Sequence, residues 1–188
     1  MNDIDDLTIQ EAAKGDRQAF ESVYKATSKF VYSVIFRMVH NRQEAEEITQ
    51  DVYIKVYKYL PQFERRSSFK TWLYRIAYNT TLDNRKKKSN FRTESLDAEV
   101  LPDRVAHVSS NVHSHMHQKD SESKLQELLS HLTEDQRMCI ILREIQGLHY
   151  DEIAKVLNLN LNTVRSRLKR AREAMLLHAK RGAISHEL

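Results

Sequence analysis

The chain has 188 residues, 40% apolar and 30% charged, with a formal net charge of +4, three Gly and two Pro. That length suits one ordinary domain or two small ones, and so few turn-forming residues exclude a sheet-rich fold, which needs many tight turns. Cys139 is the single cysteine, which excludes an intramolecular disulfide; no apolar run approaches the ~20 residues of a membrane span, and the acidic start MNDIDD is unlike the basic leader of a signal peptide. A soluble protein of a reducing compartment is expected, with Cys139, in the apolar run Met138-Cys139-Ile140-Ile141-Leu142, as a buried and inert thiol.

Charge divides the chain. Residues 1–92 carry a net +5, residues 93–122 a net −4 and residues 123–188 a net +3. The middle stretch lacks a branched-apolar pattern and cannot bury enough surface to offset chain entropy. It is predicted to be a flexible, acidic, His-rich linker between two basic modules.

The first module, 1–92, reads as helices. Asp16 is a candidate cap for a long helix, because Phe20, Val23, Tyr24, Phe30, Val31, Val34, Ile35 and Met38 recur at steps of three and four. Asn41 suits its C-terminal turn. A second helix is predicted from Gln43 to Leu60, stopped by Pro61, with Ala45, Ile48, Val52, Val56 and Tyr59 or Leu60 on its apolar face. A third is predicted from Ser68 to Lys88, with a stripe of Phe69, Trp72, Leu73, Ile76, Ala77, Thr80 and Leu82. Its terminal run Arg85-Lys86-Lys87-Lys88 also suits the negative end of the helix dipole.

In the second module, 123–188, Thr133 and Gln136 form a capping box that opens a helix, and Gly147 breaks the chain. Ile153, Ala154 and Leu157 make a short amphipathic face, followed by Asn158, which tolerates a left-handed turn. Asn162 or Thr163 is the predicted cap of a longer helix on which Val164, Leu168, Ala171 and Met175 share the buried side. Helix, short turn and longer helix make a helix-turn-helix. Arg165, Ser166, Lys169, Arg170 and Arg172 must then face outward, where forked cations can bond guanine edges or phosphates. The bland alternative is a solvated helix face, against which stands the near absence of compensating acid beside these cations.

Three stretches carry a family resemblance. "GLHYDEIAKVLNLNLNTVRSRLKRAREAM" resembles the region-four module of bacterial sigma factors, "EAEEITQDVYIKVYKYLPQF" resembles their region two, and "SSFKTWLYRIAYNTTLDNRKKK" is similar to the segment that opens the promoter. Their order and the short linker match the small two-domain extracytoplasmic-function group. Asn160 and Asn162 stand where that family commonly has Pro and Gly, and the linker carries His107, His113, His115 and His117, which its pattern does not require. The resemblance implies an all-α fold of two small helical domains. It also implies a cytoplasmic factor that directs promoter-specific initiation, in a stress, envelope or metal response. Its partners would be core RNA polymerase, through the largest-subunit coiled coil and the flap, promoter DNA, and an anti-sigma factor, without membrane insertion.

Site residues follow the same reading. For the upstream element they are Tyr150, Thr163, Arg165, Ser166, Arg167, Lys169, Arg170 and Arg172. For the melted element they are Arg65, Arg66, Ser67, Ser68, Lys70 and Asn79: cations for phosphates, small residues leaving room for a base, and an amide for a base edge. Trp72 is assigned to the core. The acidic helix around Glu44, Glu46, Glu47, Gln50 and Asp51 would dock on polymerase, with Glu47, Gln50, Asp51 and Tyr53 at the contact; read without the resemblance, that face is merely solvated. Gly-rich phosphate loops, nucleophile elbows and HExxH are absent from the sequence, so neither catalysis nor a cofactor is expected. A stand-alone helix-turn-helix regulator and a metal-dependent enzyme or sensor built on His113, His115 and His117 are the rival classes.

Overall fold

The structure, a computed structural model, describes residues 4–94 and 116–185, with side chains over 4–88 and 122–180. His107, His113, His115 and the side chain of His117 lie outside the described residues. All the regular elements described are helical: α1 Asp6–Ala13, α2 Arg17–Val39, α3 Arg42–Tyr59, α4 Phe69–Glu94, α5 Met116–Ser130, α6 Glu134–Ile140, α7 Tyr150–Leu157 and α8 Leu161–Ser185. Thr93, Glu94 and Met116–Glu122, counted with the linker in the sequence, are helical.

Helix ends obey capping chemistry, with three differences from expectation. The sequence reading missed α1, whose N-cap Asp5 accepts from Thr8 N at 2.6 Å; it is short and buries only Ile9 and Ala12, too few for a periodic signal. Gly15, at φ +96°, turns the chain into α2, where Asp16 accepts from Ala19 N at 2.9 Å. His40, not Asn41, ends α2 in the left-handed region at φ 59°, and Asn41 instead caps α3, accepting from Glu44 N at 2.9 Å. Likewise Asn160 caps α8, accepting from Thr163 N at 2.7 Å, where Asn162 or Thr163 was expected. The Thr133–Gln136 capping box forms as predicted. So does the left-handed Asn158, at φ 52°, which turns α7 into α8.

α2, α3 and α4 enclose one core, in which Val23, Val31, Ile35, Ile48, Val52, Val56, Leu73 and Ala77 are wholly buried. Phe63, Phe69 and Trp72 close its lower edge as an aromatic cluster with ring centroids 5.1–5.8 Å apart. Each such aliphatic side chain contributes about 1.5–3 kcal/mol on leaving water. In the second module α6, α7 and α8 pack around Val164, Leu168 and Ala171, all buried, as the stepped pattern predicts. Between α6 and α7 the helix widens into a π-turn, Ile141–Ile145, closed by Gln146 N donating to Ile141 O at 3.0 Å. Cys139 is buried there, and burial pushes its thiol up to about 11, so it is inert at neutral pH.

The modules do not stand apart. Val34 and Met38 of α2 and Tyr74 and Tyr78 of α4 belong to the same apolar cluster as Leu129, Met138, Leu142, Ile153 and Leu168. Polar groups cross the same joint. Arg137 Nη1 donates to Met38 O at 3.0 Å, Tyr74 Oη to Gln146 Oε1 at 2.5 Å, and Arg37 pairs with Glu122 at 2.8 Å. Arg85 pairs with Glu134 across it as well.

Candidate nucleic-acid interface

The helix-turn-helix places α8 with one buried and one open side. Arg165, Ser166, Lys169 and Arg170 are exposed, and their partners are weak or local: Arg165 reaches Asn162 at 3.4 Å and Lys169 approaches Glu173 at 3.9 Å. Thr163 is tied by backbone and hydroxyl to Asn160 and so fixes the first turn. Three predicted readers are engaged otherwise. Arg167 is half-buried and pairs with Asp135 at 2.8 Å. Arg172 pairs with Glu144 at 2.7 Å, and its hydrogen bonds to Glu144 and then Tyr150 raise its pKa. Tyr150 lies half-buried beneath the Arg143 guanidinium, 5.0 Å from its ring centre. These three brace the helices against one another. The exposed side of α8 clear of these longer-range contacts therefore carries Arg165, Ser166, Lys169 and Arg170.

On the first module, residues 64–70 bring the predicted melting residues into one loop at the start of α4, but with their polar groups occupied. Arg65 takes the left-handed backbone at φ 58° and donates to Asp6 Oδ2 at 3.2 Å and Asp6 O at 3.1 Å. Arg66 pairs with Glu64 at 2.5 Å. Ser68 caps α4, accepting from Thr71 N at 3.1 Å, so its hydroxyl is structural and not merely a small group leaving space. Lys70 is half-buried and donates to Gln146 O at 2.7 Å. Asn79 is exposed on α4 and faces a cleft of about 670 Å³ whose far wall is Asp151, Lys155, Asn158 and Leu161 of the second module.

On α3, Glu47, Gln50 and Asp51 are exposed together, as the sequence implied. Tyr53 is a correction. Only 6% of it is accessible, its hydroxyl bonds Thr27 Oγ1 at 2.7 Å, and burial raises its pKa. The apolar groups that do reach the surface beside Gln50 are Tyr24, Ile54 and Tyr57, 45%, 66% and 53% exposed, along an open groove of about 550 Å³ floored by Phe20 and Tyr53. Sequence reasoning passed over Ile54 and Tyr57 and set Tyr24 on the apolar stripe of α2, from which it emerges at the surface. The available signal was that Ile54 and Tyr57 fall off the buried stripe of α3, where an apolar residue has no core to enter.

Comparison with known proteins closes the identification. The family model for sigma-70 region 2 matches residues 23–91, and that for sigma-70 region 4 matches residues 122–175. The RNA polymerase sigma-H factor of Pseudomonas aeruginosa is 34% identical over 178 residues, 91% of each chain. The ECF RNA polymerase sigma factor SigW of Bacillus subtilis is 34% identical over 175 residues, 89% of this chain and 92% of its own. The ECF RNA polymerase sigma-E factor of Escherichia coli is 33% identical over 176 residues, 91% of this chain and 92% of its own. Among solved structures, CnrH in complex with the cytosolic domain of CnrY has a TM-score of 0.68 at 22% identity, over 92% of this chain and 96% of that one. RpoE of Bartonella quintana with the anti-sigma factor NepR also reaches 0.68, at 21% identity, over 86% and 96%. These two share the fold. The chain belongs to the extracytoplasmic-function group of sigma-70 RNA polymerase sigma factors, initiation factors that direct core polymerase to promoters.

Proposed function

We propose a division of this initiation factor's work among three surfaces. α3, with Glu47, Gln50 and Asp51 and the adjoining groove at Ile54 and Tyr57, holds core polymerase: the acids give register and the apolar groups the buried contact. α8 reads the upstream duplex through Arg165, Ser166, Lys169 and Arg170, the forked guanidinium of Arg165 or Arg170 matching the two acceptors of guanine. Residues 64–70 and Asn79 hold the melted strand, Lys70 and Arg66 at phosphates and the Asn79 amide at a base edge. Melting here uses binding energy alone, so each captured base must offset a few kcal/mol of lost stacking.

The observation that carries this reading is the exposed cationic face of α8 on a buried, correctly stepped helix-turn-helix. Two further parts of the reading are a cytoplasmic site of action in a stress or envelope response, and restraint by an anti-sigma factor. The second is suggested by the similar structure of the sigma factor RpoE of Bartonella quintana, which is bound to the anti-sigma factor NepR. Run-off transcription with core polymerase tests the whole. Promoter-specific transcripts that need this chain are the expected result. Stable operator binding by the free protein, with no transcript on adding core, would instead indicate a stand-alone regulator.

A further inference from the structure

Residues 64–67 hang between two ends that packing holds. Phe63 and Phe69 both lie against Trp72, with ring centres 5.1 and 5.7 Å from it. Between those ends the loop has little of its own. Among the described backbone hydrogen bonds, residues 64–67 make none. Arg66 pairs with Glu64 inside the loop, and Ser67 Oγ donates to Ser68 O at 3.4 Å, again locally. Among the described contacts, the polar one that leaves the loop is Arg65, whose Nη1 donates to Asp6 Oδ2 and whose Nη2 donates to Asp6 O. Arg65 also has the unusual backbone. Of the three non-glycine residues described at positive φ, His40 and Asn158 end helices, where a left-handed residue satisfies the last carbonyls. Arg65, at φ 58°, ends no helix, and a side chain in that conformation crowds the following carbonyl. Such a backbone persists only where its surroundings hold it. The holder is itself firm, because α1 buries Ile9 and Ala12 in the same core as Phe69.

From these observations we infer that Asp6 and Arg65 are positioning residues: α1 grips the loop through this pair and sets the shape in which the loop receives an unstacked base, while Arg65 itself contacts no phosphate. The inference rests on the melting role proposed for residues 64–70. It separates Arg65 from Arg66 and Lys70, which carry the same charge, and gives α1 a part in promoter opening without touching the strand. The pair is exposed, 41% at Arg65 and 79% at Asp6, so it adds little to the stability of the whole fold. Its effect is on the shape of a few residues. An anchor and a phosphate contact differ in sign. Were Arg65 a phosphate contact, Asp6 would compete with DNA for it, and removing the carboxylate would help opening; removing an anchor harms opening. They differ again at glycine, which takes the left-handed backbone without strain and so needs no anchor, but offers no cation to a phosphate.

The test is open-complex formation by the holoenzyme on duplex promoter, read by permanganate footprinting, for Asp6→Ala, Arg65→Ala, Arg65→Gly and the double variant D6A/R65G. Arg65→Ala is expected to slow opening roughly five-fold, the scale of one strained residue released. Asp6→Ala should slow it less, because the backbone carbonyl of residue 6 still accepts from Arg65. Arg65→Gly should open within about two-fold of the unaltered chain. Asp6→Ala should add nothing beside Arg65→Gly, since the two act through one contact. Asp6→Glu, which keeps the carboxylate, should open like the unaltered chain. Urea midpoints of all these variants should match that of the unaltered chain. In the free chain, trypsin cleavage after Arg66 should be faster in Asp6→Ala, because a loosened loop enters the protease more often. Faster opening in Asp6→Ala, or equal losses in Arg65→Ala and Arg65→Gly, would overturn the inference. So would unchanged cleavage in Asp6→Ala, or a loss of opening that follows a fall in the urea midpoint. Because the cleavage needs neither polymerase nor DNA, a loop that loosens in Asp6→Ala while Ser67→Trp opens duplex like the unaltered chain would refute the melting role proposed above and leave the anchor standing.

Discussion

Arg137 is the most consequential charge in the interior. Its guanidinium is 7% exposed and has no carboxylate partner among the described contacts; it donates to Leu129 O at 2.8 Å, Met38 O at 3.0 Å, Leu132 O at 3.1 Å and Ser130 O at 3.3 Å. These carbonyls belong to the C-terminal ends of α2 and α5 and the turn after α5, so two helix dipoles converge on one cation. Burial, and then the nearby Arg85, lowers its pKa, which shows that the site resists the charge it holds. A hydrogen bond from a charged donor is worth about 1.5–3 kcal/mol net. Three short ones, reduced by the desolvation of the cation, leave about 3–5 kcal/mol lost on Arg137→Met. Arg137→Lys reaches one or two of the carbonyls and should lose about half as much. Urea unfolding followed by circular dichroism measures both, with the slope checked for two-state behaviour. If both variants fall within about 1 kcal/mol of the unaltered chain, the carbonyls are satisfied by water and the account of this joint is wrong.

Arg165→Ala and Arg170→Ala should each weaken holoenzyme binding to duplex promoter by about 1–3 kcal/mol and relax preference at one base pair, whereas Arg167→Ala should mainly lower stability; gel-shift titrations on single-base variants separate the two. Asp51→Lys should reduce affinity for core polymerase with the fold intact, while Tyr53→Phe, which loses only the bond to Thr27, should cost about 1 kcal/mol of stability and leave core affinity unchanged; pull-down titrations and melting curves check both. Asn79→Ala and Ser67→Trp should impair open-complex formation on duplex DNA more than on a pre-mismatched template, read by permanganate footprinting; Ser68 is a poorer probe, because its replacement also removes the α4 cap, worth about 1 kcal/mol. His40 should confer acid sensitivity. Burial first, then Arg137 and Arg85, lower its pKa from 6.5 to about 4, so below pH 6.5 the unfolded chain takes up a proton that the fold refuses. Stability should then fall by up to about 1.4 kcal/mol per pH unit down to about pH 4, and His40→Asn, which keeps the left-handed turn, should flatten that dependence in urea midpoints at pH 7.5 and 5.

Local rules were sufficient for much of this molecule. The three- and four-residue steps of α2, α3, α4 and α8, the caps Asp16 and Thr133, and the breaks at Gly147 and Asn158 follow from helix periodicity and turn chemistry, which depend on neighbours in sequence. Those same steps turned Arg165, Ser166, Lys169 and Arg170 outward before any contact was known. Partnership between distant residues had no such signature. A sequence lists Arg167, Arg172, Lys70 and Arg65 as equivalent cations, yet Asp135, Glu144, Gln146 and Asp6 engage them one by one, because folding brings those acceptors within reach. Tyr53 lay beside Gln50 in the polymerase motif, and only the packing of α2 on α3 buried its hydroxyl against Thr27. The joint is the clearest case. Val34 and Met38 lie on the same periodic stripe as Val31 and Ile35, and periodicity can mark a residue as apolar and inward without saying which neighbour it meets. That choice depends on shape and on the convergence of α2 and α5 carbonyls on Arg137, which exist only once both modules are in place.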